Sequence, residues 1–195
     1  MAAVAQEAPV QARPKVEIVP VKGLPIVAAI LVGIVIAIGT NSLWALNAFH
    51  VVGGGLWTGI DLFFGLVLGP IIGRMSIPAR MELTTRLMPK MVLIVPTLVT
   101  MTLAAGFQLA RYNGFLDSSY PRHGWVVASM VVVGIMAVIA IGLLEPANLA
   151  VLFELRKANP DGAVIEKLMK RFLYTAGIIG VLQITTLVIM TRLGS

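Results

Sequence analysis

Five side chains in this sequence are chemically expensive for the apolar stretches they interrupt: His50, Trp57, Asp61, His123 and Glu145. In apolar surroundings a neutral imidazole can ligate haem iron or copper through one ring nitrogen. An ionised carboxylate in hydrocarbon costs several kcal/mol, so Asp61 and Glu145 are expected to be protonated, hydrogen-bonded or open to a watery cleft. At about 100° per residue, Gly54, Trp57, Asp61, Phe64 and Leu68 fall within roughly 40° either side of His50 on one helix. A titratable ring, an indole and a carboxyl thus share one stripe. A lipid-facing helix would not carry it, so it is predicted to face the interior of a bundle, toward the third and fourth helices, with Thr97, Thr100, Thr102 or Glu145 bonding to Asp61.

Each residue has a plainer alternative. His50 is either a haem or metal ligand, or a structural histidine bonded to Asn47, to a threonine of the third helix or to a lipid headgroup. His123 is either a second metal ligand or an interfacial histidine at the mouth of a helix. Trp57 and Asp61 either line a cofactor pocket with His50, or pack a helix interface and cap a half-helix. Glu145 is either part of an intramembrane relay or reaches toward Arg156. Met101, Met130, Met136 and Met190 lie in apolar stretches without the M-x-x-M clusters of a copper relay, and read as core.

The elements that must position these residues are apolar throughout. Hydrophobic residues make up 58% of the 195 and charged residues 12%, with a mean hydropathy of +0.93, which excludes a soluble domain and gives an all-α polytopic membrane bundle. The formal charge of +6 is explained by loop cations that orient helices and not by nucleic-acid binding. With no cysteine, disulfides, thiolate metal sites and covalently attached c-type haem are excluded.

Residues 1–23 read as a flexible cytoplasmic tail and 24–195 as a single transmembrane domain of about five helices. The first helix is expected over Leu24–Thr40. The second runs from Leu43 to Gly73, with a kink at Gly53-Gly54-Gly55 and a restart near Thr58 and Asp61. Its tracks Gly55-x-x-x-Gly59 and Gly65-x-x-x-Gly69-x-x-x-Gly73 admit close neighbours. After a loop over 74–90, the third helix is expected over Met91–Ala110 with a bend at Pro96. The fourth is expected over about Gly124–Phe153 and, after a polar stretch over 154–171, the fifth over Phe172–Thr191. With the N-terminus inside, twelve Lys and Arg face inward and only Arg111, Arg122 and Arg192 face outward, which predicts N-in, C-out.

The run LWALNAFHVVGGGLWTGIDLFFGLVLGPIIGR resembles the helix of the copper-resistance D type membrane proteins, in which a histidine is followed about seven residues later by Trp-x-Gly, then by an aromatic and aliphatic stretch ending near a proline. The matching positions are His50, Trp57, Gly59, Phe63 or Phe64, and Pro70. RLMPKMVLIVPTLVTMTLAAGFQLA is similar to the second helix of HemJ-type protoporphyrinogen oxidases and of related predicted bacterial membrane proteins of unknown function. The resemblance spans roughly residues 43–111, and an additional helix precedes the motif. It implies a bacterial inner-membrane bundle with His50 as ligand to haem b or, in the copper branch, to copper. The expected role is redox or electron transfer, alone or as a subunit of a membrane complex, with lipid and other membrane subunits or a second copy as partners. Two rivals stand beside it: a copper or small-solute transporter using Asp61 and Glu145, and a non-catalytic anchor or assembly subunit whose glycine tracks, Gly65 and Gly69 above all, dock other subunits.

Overall fold

The computed structural model describes residues 16–194, so most of the tail expected over 1–23 lies outside the described residues. Helix α1 spans Leu24–Gly39 after a 3₁₀ turn at Val21–Gly23. A second rod is built from α2 (Leu43–Leu62), a wide π turn (Phe63–Leu68) and α3 (Gly69–Arg74). Helix α4 spans Ile77–Tyr112. The fourth rod repeats the plan of the second: α5 (His123–Ile139), a π turn (Ala140–Leu144) and α6 (Glu145–Leu155). Helix α7 spans Gly162–Gly194. No strand occurs among the described residues. All five rods are long and apolar enough to cross a membrane, and the chain is a multi-pass helical membrane protein.

The expected kink at Gly53–Gly55 is absent, since α2 runs unbroken through all three. Thr58 does not cap a restarted helix but donates its hydroxyl back to Gly54 O at 2.7 Å. Gly53 instead creates room: a Cβ there would sit 2.6 Å from Thr102 Oγ1 and 2.7 Å from Met101 Cε of α4. The irregularity falls one turn before a proline instead. Pro70 and Pro146 have no N–H to return to the preceding turn, and each ring would strike a carbonyl of a tight α-turn. Upstream of each the helix widens, with Gly69 N–H reaching Phe64 O and Glu145 N–H reaching Ala140 O, five residues back.

The segments expected as loops over 74–90 and 154–171 are mostly helical. Only Met75 and Ser76 separate α3 from α4, and α7 begins at Gly162, where Asp161 Oδ1 accepts from Ala163 N at 2.8 Å. At about 1.5 Å per residue α4 is about 54 Å long, far more than the roughly 30 Å of hydrocarbon, so its charged first half projects beyond it. The two ends of the bundle are called here the N-end, which holds Val16, and the C-end, which holds Gly194.

Helices α2 and α7 run antiparallel in close contact. A Cβ on Gly65 would lie 2.5 Å from Gly177 Cα, and one on Gly180 would lie 2.9 Å from Leu62 Cδ2. Phe64 meets Phe172 edge to face at 5.5 Å. The Gly65 and Gly69 track therefore docks this chain's own last helix and is not free for another subunit. Gly55, Gly59 and Gly73 have nothing within 4 Å of an added Cβ.

Candidate functional site

At the C-end, α2, α4, α5 and α7 diverge around a half-open cavity of ≈ 550 Å³, lined by His50, Thr102, Gly106, Phe107, Met130 and Met190 among others. The helical stripe brings the half-buried His50 there. Its Nδ1 lies 2.9 Å from the main-chain oxygen of Thr102. A carbonyl only accepts, so in the neutral ring Nδ1 carries the hydrogen and Nε2 keeps its lone pair. That is the tautomer of a metal-ligating histidine oriented by a backbone carbonyl. Gly106 makes the arrangement possible, because a Cβ there would fall 2.5 Å from His50 Cε1 and 2.6 Å from Nδ1. The plainer reading of His50, a bond to a threonine of the third helix, and the ligand reading are thus served by one geometry.

Met130 and Met190, distant in sequence, line the same cavity as His50, whereas Met101 and Met136 are buried in the core as expected. No group of three or more His, Cys, Asp or Glu placed to hold a metal occurs among the described residues, so a metal here would depend on His50 together with thioethers or a porphyrin. Thr102 Oγ1 is buried without a partner beside the cavity, and Ser129 is buried at its wall.

His123 is not in the lining of this cavity. It opens α5, its backbone N donating to Tyr120 O at 2.9 Å, and its Nδ1 is buried without a partner. It lies near Asp117 in the connection between α4 and α5. Asp117 Oδ1 accepts from Ser119 N and Ser119 Oγ, both at 2.9 Å. These bonds, from the backbone first, hold the Asp117 carboxyl below the usual aspartate range.

Trp57 and Asp61 are buried, 3% and 2% exposed, and face inward with His50, but about two and three turns further along α2 and away from the cavity lining. The partner of Asp61 is neither a threonine of α4 nor Glu145. It is Gln183 of α7, 4% exposed, whose Nε2 donates to Asp61 Oδ2 at 3.4 Å. The Trp57 indole bears on the same carboxyl, yet its Nε1–H is outside hydrogen-bonding geometry. Glu145 sits half-buried at the start of α6 with Oε1 unpartnered, close to the fully buried Asn148, neither of whose amide atoms is bonded.

At the N-end the buried Arg80 gathers four partners: Ile72 O at 3.2 Å, Met75 O at 3.3 Å, Gly73 O at 3.5 Å and Glu166 Oε2 at 2.7 Å. It satisfies the orphan carbonyls that end α3 and ties them to α7. In the sequence Arg80 is one of the orienting loop cations and Gln183 belongs to no motif; both gain meaning from contacts between segments far apart in the chain. Comparisons with profiles of known families, with curated proteins and with solved structures find no match to this chain.

Proposed function

We propose that this chain is a bacterial inner-membrane redox protein, N-terminus inside and C-terminus outside, that holds haem b through His50 in the C-end cavity. The observation that carries this reading is the bond between His50 Nδ1 and Thr102 O, which leaves the Nε2 lone pair of a neutral imidazole at an apolar cavity of ≈ 550 Å³, a size within the range of cofactor sites. Haem would supply one-electron chemistry. The protein's part would be to orient the His50 ring on α4 and to surround the group with Phe107 and its apolar neighbours, and Met130 and Met190 are the lining side chains that could help His50 to hold it. The resemblance of residues 43–111 to the copper-resistance D and HemJ-type helices supports the same assignment, and the twelve-to-three division of basic residues supports the orientation. Purified full-length protein supplied with haem should show a Soret band that His50→Ala abolishes; a colourless wild type overturns the reading.

A second reading, a copper-handling membrane protein, is favoured by one observation: His50, Met130 and Met190 line one cavity, and an imidazole with two thioethers is a donor set suited to Cu(I). Copper analysis of the wild type against the Met130→Leu/Met190→Leu double variant tests it. Retention of copper by the variant counts against this donor set.

A further inference from the structure

We propose that Asp61 is a proton-binding site within the membrane, its carboxyl carrying a proton and lying face to face with the carboxamide of Gln183. This stands apart from the haem reading, because neither residue lines the His50 cavity.

The first observation is an incomplete set of hydrogen bonds. Gln183 Nε2 donates to Asp61 Oδ2 at 3.4 Å, while Gln183 Oε1, on the same planar amide, is buried and receives nothing. Every neighbouring backbone N–H in a helix interior is already engaged, so the missing donor has to be a side chain or a water. An ionised carboxylate only accepts and cannot supply it. A protonated Asp61 can: its O–H donates to Gln183 Oε1 while its carbonyl oxygen accepts from Nε2, closing an eight-membered acid–amide ring that satisfies both groups.

The second observation is charge. The elements packed against α2 are α1, α4 and α7 together with the π turn. The stretches Leu24–Gly39, Met91–Ala110 and Phe172–Thr191 contain no Lys, Arg, His, Asp or Glu. Their one titratable side chain, Tyr174, is exposed and nine residues from Gln183 along α7. On α2 itself the other titratable group is His50, eleven residues and about 16 Å along the helix from Asp61. A carboxylate 2% exposed, with no cation acting on it and only the long Gln183 bond and the nearby Trp57 indole to offset its burial, would still bear most of its desolvation cost, and the neutral acid avoids it. The ligand of the site is therefore H⁺, held between two helices whose backbones nearly touch at Gly65 and Gly177.

The test is infrared spectroscopy of the full-length protein in lipid nanodiscs, in H₂O and in D₂O, comparing wild type with Asp61→Asn and with Gln183→Leu. The wild-type minus Asp61→Asn spectrum isolates Asp61 from Glu145. It should show a carboxylic-acid C=O band that moves on deuteration, and that band should move to higher frequency in Gln183→Leu, where the amide donor is gone. A difference spectrum with the paired carboxylate bands and no acid band overturns the proposal. Should Asp61→Asn fail to fold, Gln183→Leu is compared in a Glu145→Gln background, where an acid band that stays in place shows that Asp61 and Gln183 are not paired.

Discussion

The Nδ1 atom of His50 lies 2.9 Å from the main-chain oxygen of Thr102, fifty-two residues away in sequence, and Gly106 one turn further along α4 leaves the ring nothing to collide with. The imidazole thereby lies close against the helix backbone.

Replacing Gly106 by alanine should undo this. The new methyl would stand 2.5 Å from Cε1, closer than any real contact, and the ring must swing away from Thr102. We expect a loss of about 1–3 kcal/mol from overpacking and the disappearance of the Nδ1–H resonance from the nitrogen spectrum of ¹⁵N-histidine-labelled protein. An unchanged resonance would show that the ring is held by something else.

Glycines in the second rod should separate into two classes. Gly65→Ala drives a methyl to 2.5 Å from Gly177 Cα, a backbone atom with no freedom to yield, and should lower thermal stability by at least about 1–3 kcal/mol. Gly55→Ala meets open space and removes backbone freedom from the unfolded helix, so it should be neutral or stabilising by up to about 1 kcal/mol. Equal melting temperatures for the two variants would contradict the packing of α2 on α7.

Arg80→Gln should destabilise by about 2–3 kcal/mol, since it strips three carbonyls and Glu166 of a buried donor. The figure is held to that range because Glu166 is itself one-third exposed and keeps Lys170 at 2.7 Å. Arg80→Lys should rescue little, a single ammonium being unable to span the four acceptors. Thermal unfolding in detergent reads both; a lysine variant as stable as wild type would mean that only the charge matters.

The connection between α4 and α5 should respond to acid. Because the bonds from Ser119 favour the charged form, the folded pKa of Asp117 is lowered. Their ordering effect is complete above the ordinary aspartate value and fades as pH falls through the lowered one. In a titration, the Ser119 amide shift should have a midpoint below that of an unperturbed aspartate, and a midpoint at the ordinary value would argue that the turn is open in solution.

The five spans are legible because an apolar run of span length has almost no other use, and the inward stripe of α2 is legible because its period is that of a helix. The extensions of α4 over Ile77–Lys90 and of α7 over Gly162–Arg171 are not, since hydropathy reports only where lipid is and a charged helix beyond the membrane looks like a loop. The glycine triplet drew the expected kink, whereas the π turns lie just ahead of Pro70 and Pro146, which remove a donor outright. The grouping of Met130 and Met190 with His50, and of Gln183 with Asp61, depends on how rods far apart in sequence are placed, and nothing local encodes it.

The ties formed by Arg80 leave the two ends of the bundle mechanically unequal. At the N-end one guanidinium spends its donors on three carbonyls and a carboxylate, riveting three rods together. The cross-links at the C-end are single bonds: His50 to Thr102 O at 2.9 Å, Arg122 to Leu193 O at 3.3 Å and Gln108 to Asn41 at 2.7 Å among them. A bundle clamped by Arg80 at one end is stiffer there than at the end that holds the His50 cavity. A bulky guest at that cavity would have to spread only rods that stay fastened at the far end, so the fold would not need to come apart to admit it.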